Sequence, residues 1–165
     1  MHKDKNKFIE MINKNQAIIN KVCFWYTNNI DDRLDLRQEI LIQLWQAYPK
    51  FNNQSKLSTW IYRVALNTAI SNFRKKKREV DCKEFSPNDY QIPELRDNLE
   101  IKEDINEMYR FIYQLNYLDK AIILLYLDDH PYSAIADIVG ISKTNVATKI
   151  SRIKKKLKEN NNKKE

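Results

Sequence analysis

Apolar residues recur along much of the chain at steps of four and three, the repeat of a helix buried along one side. Phe8, Ile12, Ile19, Val22 and Tyr26 keep that rhythm, with Met11, Ile18 and Trp25 widening the face, and predict a first helix. A second is predicted from the acidic start Asp31-Asp32, with Leu36, Ile40 and Leu44 in one row and Leu41, Trp45 and Tyr48 beside it, ending before Pro49. A third spans Ser58 to Arg78. Its stripe is Leu57, Ile61, Val64 and Thr68, with Trp60 at the edge and Tyr62, Arg63 and Asn67 on other faces. Trp45 is read as core. Helices this short are marginal alone, so these three are expected to bury their apolar faces against one another as a small bundle.

The second half begins with a predicted helix over Ile105 to Leu115, continues through the run AIILLYL, and turns at Asp128-Asp129-His130-Pro131. A short segment from Ser133 to Val139 is apolar on one side. Gly140 permits a sharp turn, Ser142 can cap the next helix, and Val146, Ile150, Ile153 and Leu157 form that helix's buried stripe. The pattern is a helix-turn-helix. Between the halves, residues 80–104 carry two of the four prolines and no sustained helical period before Leu99, and are read as a flexible linker. Fully extended, such a segment could reach on the order of 80 Å.

Composition agrees with this all-α reading. The single glycine and four prolines leave few residues for tight β turns. The 42% hydrophobic and 31% charged residues are those of a globular chain. No apolar run approaches the roughly 20 residues of a bilayer span, and the N-terminal MHKDKNKF has no signal-peptide core, so no membrane insertion and a cytoplasmic location are expected. Cys23 and Cys82 are far apart and only His2 and His130 could join them, so no metal site is expected.

Charge changes the picture more. The net value of +7 favours a polyanionic partner, and it is unevenly spread. Residues 1–79 hold 15 basic and 7 acidic side chains, residues 80–104 hold 3 and 8, and residues 105–165 hold 11 and 7.

On the last helix the side chains outside the stripe suit DNA. Lys143, Thr144, Asn145, Thr148 and Lys149 occupy the part of a recognition helix that faces base edges, and Arg152, Lys154 and Lys155 follow as phosphate contacts. A helical hairpin with a merely solvated basic face is the competing reading. The end, KKKLKENNNKKE, adds nonspecific attraction.

YSAIADIVGISKTNVATKISRIKKKL resembles region four, the minus-thirty-five reader, of the extracytoplasmic-function sigma factors of bacterial RNA polymerase. It departs from the family at Thr144-Asn145 and Ala147, where Gly-Thr and a basic residue are frequent. DLRQEILIQLWQAYPKF followed by STWIYRVALNTAISNFRKKKR resembles region two of the same family in order, spacing and residue type.

The resemblance implies two helical domains: 1–79 for core docking and minus-ten melting, and 105–159 for minus-thirty-five recognition, with a linker over 80–104 and a basic tail over 160–165. The sequence is expected to hold no separate N-terminal inhibitory extension and no room for an intervening third domain, in agreement with the smallest architecture of that family. Asp35, Gln38 and Glu39 correspond to the surface that docks on the clamp helices of the polymerase largest subunit, although Asp35 alone could simply favour its helix dipole. Trp60 holds the place of the aromatic that supports melting, and Asn67 that of a polar residue at the upstream edge. Arg63 and the basic end from Arg74 to Arg78 would hold phosphates. Asn52, Asn53, Gln54, Ser55 and Lys56 correspond to a loop that receives a flipped base, against the simpler reading of a polar connection. Ordinary packing is the alternative for Trp60.

The implied partners are core polymerase, at the clamp and at the flap of the second-largest subunit, promoter DNA, and an anti-sigma factor of the kind common in the family. No cofactor is implied. No HExxH, P-loop, glycine-rich nucleotide loop or nucleophile elbow occurs, and Asp128-Asp129-His130 is explained as turn chemistry, so the chain is expected not to be an enzyme. The competing functions are a helix-turn-helix regulator that does not bind core polymerase and a helical adaptor that binds protein alone.

Overall fold

The computed structural model describes residues 2–80 and 102–162, and these form two compact helical units, one from each stretch. No strand occurs among the described residues.

The first unit contains α1 (His2–Lys14), α2 (Gln16–Tyr26), α3 (Ile30–Ala47), a single 3₁₀ turn at Tyr48–Lys50, and α4 (Leu57–Val80). The single first helix expected from the apolar rhythm is therefore two, and Asn15 is the cause. Its side-chain Nδ2 donates to the Met11 carbonyl at 2.8 Å, taking the acceptor that its own backbone N–H would use in a continuous helix. That N–H moves instead to the Ile12 carbonyl at 3.0 Å, and the backbone leaves helical geometry at φ −119°. The Asn29 side chain starts α3: its Oδ1 accepts the Asp32 N–H at 2.8 Å while its Nδ2 donates to the Asp32 carboxylate at 2.9 Å. Asp31 and Asp32 in that first turn also complement the helix dipole.

The core is made by Ile19, Val22 and Cys23 of α2, Leu36, Ile40 and Leu44 of α3, and Ile61, Ala65, Leu66 and Ala69 of α4, all essentially sealed from solvent. Each large aliphatic among them contributes roughly 1.5–3 kcal/mol by leaving water. Burial pushes the Cys23 thiol up to about 11 and raises the Tyr26 hydroxyl well above its ordinary range.

Two expectations are corrected here. Tyr62 is buried, because the inward face of α4 runs through Ile61-Tyr62, Ala65-Leu66 and Ala69, while Leu57, Val64 and Thr68 lie at its margin. Trp45 is 45% exposed; it stands at the edge of α3, its ring meeting that of Phe8 edge-on at 4.9 Å.

The second unit contains α5 (Lys102–Gln114), α6 (Tyr117–Leu127), α7 (Tyr132–Val139) and α8 (Lys143–Asn162). The expected linker over 80–104 thus overlaps helix at both ends, and its remainder, residues 81–101, lies outside the described residues. Residues 160–162 of the expected tail continue α8, and 163–165 are outside the described residues. Asn116 caps α6, its Oδ1 accepting from the N–H groups of Leu118 and Asp119 at 3.1 and 2.9 Å. Gly140 ends α7 at φ 75°, in the left-handed region, and lets both its own N–H and that of Ile141 reach the Ala136 carbonyl at 2.9 and 3.2 Å. Ser142 Oγ then accepts the Asn145 N–H at 3.2 Å and starts α8. Ile112, Ala121, Ile122, Leu125, Ile135, Val146, Ile150 and Ile153 form the core of this unit.

Candidate nucleic-acid and protein-docking faces

α4 turns Ile61, Ala65 and Ala69 inward, and Trp60, Arg63, Asn67 and Arg74 follow one another on its outward side at steps of three, four and seven. All four residues expected on this helix thus share a face. Ser71 falls between Asn67 and Arg74 on the same stripe and is exposed, a position that reading residue by residue missed. Asn67, Ser71 and Arg74 are exposed, while Trp60 and Arg63 are half-buried. The Trp60 ring packs on Phe51 with centroids 4.8 Å apart. Arg63 Nε is shielded from solvent without a hydrogen-bond partner, so this cation carries an unmet donor.

The loop before α4 keeps Asn52, Asn53, Gln54 and Lys56 exposed and Ser55 half-buried. Asn53 adopts φ 58°, a left-handed conformation that Asn tolerates better than most residues. Asn53 borders an open groove walled by Met11, Trp45, Tyr48, Phe51 and Leu57. Aromatic walls with an amide at the rim can stack a planar ring and offer hydrogen bonds to its edge.

On α3 the inward row is Leu36, Ile40 and Leu44. The opposite side carries Asp35 and Gln38, both exposed, with Glu39 at the flank accepting from Gln43 Nε2 at 2.9 Å. Leu34, Ile42 and Trp45 are interleaved with them, at 57, 41 and 45% exposure. These apolar members were missed because the expectation looked only for carboxylates and amides; helical spacing from Gln38 would have found them. A face that mixes open apolar side chains with a few acids is suited to a partner helix.

On α8, Thr144, Thr148, Arg152 and Lys155 lie opposite the buried Val146, Ile150 and Ile153 and are exposed, together with Ser151. Lys143 and Asn145 are exposed in the first turn. Two expected contacts point elsewhere. Lys149 Nζ pairs with Asp119 Oδ1 of α6 at 2.7 Å, and Lys154 Nζ bonds the Tyr126 hydroxyl at 2.6 Å and lies 4.3 Å from that ring's centroid. The bond to Tyr126 raises the Lys154 pKa.

Among the described residues no group of acidic, histidine and cysteine side chains could hold a metal ion, and no helix is long and apolar enough to cross a membrane. Asp128, Asp129 and His130 lie in the turn after α6, where Asp129 takes φ 58°.

Known proteins resemble this chain in sequence and fold. Residues 11–79 match the family described as Sigma-70 region 2, and residues 105–157 that described as Sigma-70, region 4. The chain is 26% identical over 168 residues to the ECF RNA polymerase sigma factor SigW of Bacillus subtilis, covering 94% of this chain and 89% of the relative. To the RNA polymerase sigma factor SigV of the same organism it is 28% identical over 141 residues, covering 84% and 81%. Its fold is similar to that of the sigma factor RpoE of Bartonella quintana, solved in complex with the anti-sigma factor NepR, with a TM-score of 0.67, 20% identity and 96% of each chain covered.

Proposed function

The chain belongs to the sigma-70 family, in its extracytoplasmic-function branch, and is an RNA polymerase sigma factor; from that premise we propose how its three outward faces divide the work of initiation. The outer face of α3 docks on the clamp helices of the polymerase largest subunit. Leu34, Ile42 and Trp45 supply the apolar contact, while Asp35, Gln38 and Glu39 pair with basic side chains and fix the register. The α4 face receives the opened minus-ten element: Trp60 stacks on an unpaired base, Asn67 and Ser71 meet polar edges, and Arg63 and Arg74 hold the strand by its phosphates. Asn52 to Lys56 and the aromatic groove beside Asn53 take a base turned out of the stack. The outer face of α8 anchors the upstream duplex, reading bases with Lys143, Thr144, Asn145 and Thr148 and phosphates with Arg152 and Lys155.

The remaining assignments follow the same scheme. The domains are the α1–α4 unit and the α5–α8 unit, joined by the acidic segment between Val80 and Lys102. The second unit touches the flap of the second-largest subunit. The protein works in the cytoplasm, catalyses nothing itself and leaves the chemistry to the polymerase. An anti-sigma factor binds and restrains it; the similarly folded RpoE of Bartonella quintana forms such a complex with NepR.

The alignment of Trp60, Arg63, Asn67 and Arg74 on one side of α4 carries this reading, since an aromatic beside cations on one stripe is what separated strands require. The test is reconstitution with core polymerase and a promoter library, scoring sequence-dependent open complexes by permanganate reactivity. Open complexes that depend on this chain and on two sequence elements support it. Selective duplex binding without core binding would instead make the chain a free-standing regulator.

A further inference from the structure

We propose that Asp119 and Tyr126 are positioning residues for promoter reading, gripping α8 through Lys149 and Lys154, so that Lys149 serves as a strut rather than a DNA contact. The inference rests on the proposal that α8 reads the upstream promoter element.

Val146, Ile150 and Ile153 seat α8 in the second unit and fix which face is buried, but small rotations about that stripe change few apolar contacts. Directional bonds remove that freedom. Lys149 and Lys154 stand on the two flanks of the stripe, and their partners occupy the first and last turns of α6.

Both anchors are themselves held. Asp119 Oδ1 accepts from Lys149 Nζ, while its Oδ2 accepts from Asn116 Nδ2 at 2.7 Å and its N–H donates to Asn116 Oδ1 at 2.9 Å. The residue that completes the α6 cap therefore also fixes α8. The pair is well sheltered, with the Lys149 and Asp119 side chains 31 and 17% exposed, in contrast to the Lys155–Glu159 contact on the open side of α8, at 79 and 57%. The Tyr126 ring, besides accepting Lys154, lies 6.2 Å from Tyr132, so this second grip includes α7. A lysine whose charge is met by Asp119 has little left for a phosphate, and reading is left to Lys143, Thr144, Asn145 and Thr148, with Arg152 and Lys155 on the phosphates.

The experiment uses the full chain bound to core polymerase. It reads the ratio of affinities for a promoter with the selected upstream element and one with that element scrambled, together with the salt dependence of binding. Asp119→Asn is expected to cut that ratio about fivefold, and Tyr126→Phe by less because the ring remains. Lys149→Gln is expected to cut the ratio likewise while leaving the salt slope unchanged. Exchanging the charges, Asp119→Lys with Lys149→Asp, is expected to recover part of the discrimination that Asp119→Lys alone loses, the Asn116 Nδ2 bond staying lost, and no phosphate contact at Lys149 would allow even that.

If Asp119→Asn instead tightens binding with discrimination intact, and Lys149→Gln lowers the slope by about one, Lys149 is a phosphate contact and the inference falls. A wild-type holoenzyme indifferent to the upstream element overturns both this inference and the promoter-reading proposal beneath it. A discriminating wild type with unaffected variants overturns this inference alone.

Discussion

The ring of Trp60 at the start of α4 lies 4.8 Å from that of Phe51, the two planes tilted by 34°. Phe51 precedes the exposed loop and Trp60 follows it, so one aromatic contact closes that loop and supports the indole from the protein side. The half-buried indole is thereby held in place while part of it stays open to a ligand.

Trp60→Ala is expected to reduce open-complex formation by about 10- to 100-fold, the loss of one base–aromatic stack, while leaving affinity for core polymerase near the wild-type value. Trp60→Phe should recover most of it. Fluorescence of 2-aminopurine in the minus-ten element measures opening, and a core-binding titration supplies the control. A Trp60→Ala protein that opens promoters normally would return the residue to ordinary packing.

Much of this arrangement is legible in the sequence where spacing is unbroken and caps are local. α3, with Leu36, Ile40 and Leu44, and the α7–Gly140–α8 turn are of that kind. The break at Asn15 is not, because Ile12 and Ile19 stay in register across it and only the side-chain bond to Met11 reveals the interruption. Trp45 has the right period for a core residue, but whether a flank is covered depends on where α1 lies, which spacing along α3 does not encode. Lys149 looks like any recognition-helix cation, since its partner Asp119 lies 30 residues earlier.

The docking face proposed on α3 predicts effects of the opposite kind. Leu34 and Ile42 are 57 and 41% exposed, so Leu34→Ala and Ile42→Ala should change the stability of the free protein by less than about 0.5 kcal/mol. Each should nevertheless weaken core polymerase binding by about 1 kcal/mol or more, and Gln38→Ala with Glu39→Ala should also weaken binding before it affects promoter opening. Calorimetric melting together with a core-binding titration separates the two effects. Loss of opening with intact core binding would remove this face from the docking surface.

Gly140 offers a test of the turn itself. A Cβ added there would meet nothing within 4 Å, so Gly140→Ala isolates the cost of holding an L residue at φ 75°. That cost is about 1–2 kcal/mol, and Gly140→Asn should lose less because Asn tolerates this region. Thermal melting checks the order Gly, Asn, Ala. An alanine variant as stable as the wild type would mean that the turn relaxes.

Lys120 carries the clearest pH dependence. It is buried in α6 with its ammonium 5.2 Å from the centroid of the Tyr113 ring, and burial pulls its pKa down from 10.5 to about 8. The unfolded chain keeps that proton up to about pH 10.5 whereas the folded chain releases it near pH 8, so between these values the unfolded state binds more protons and stability rises with pH. Below pH 8 both states are charged, and the full penalty of burying the ammonium, on the order of 3 kcal/mol, is present. Lys120→Met keeps the stem and removes the charge, so it should stabilise the second unit most at neutral pH, with the advantage over wild type shrinking steadily toward pH 10.5. Denaturant melts of both proteins across that range measure the difference, and the subtraction cancels every group common to the two. An advantage independent of pH would show that the lysine is not buried as a charge.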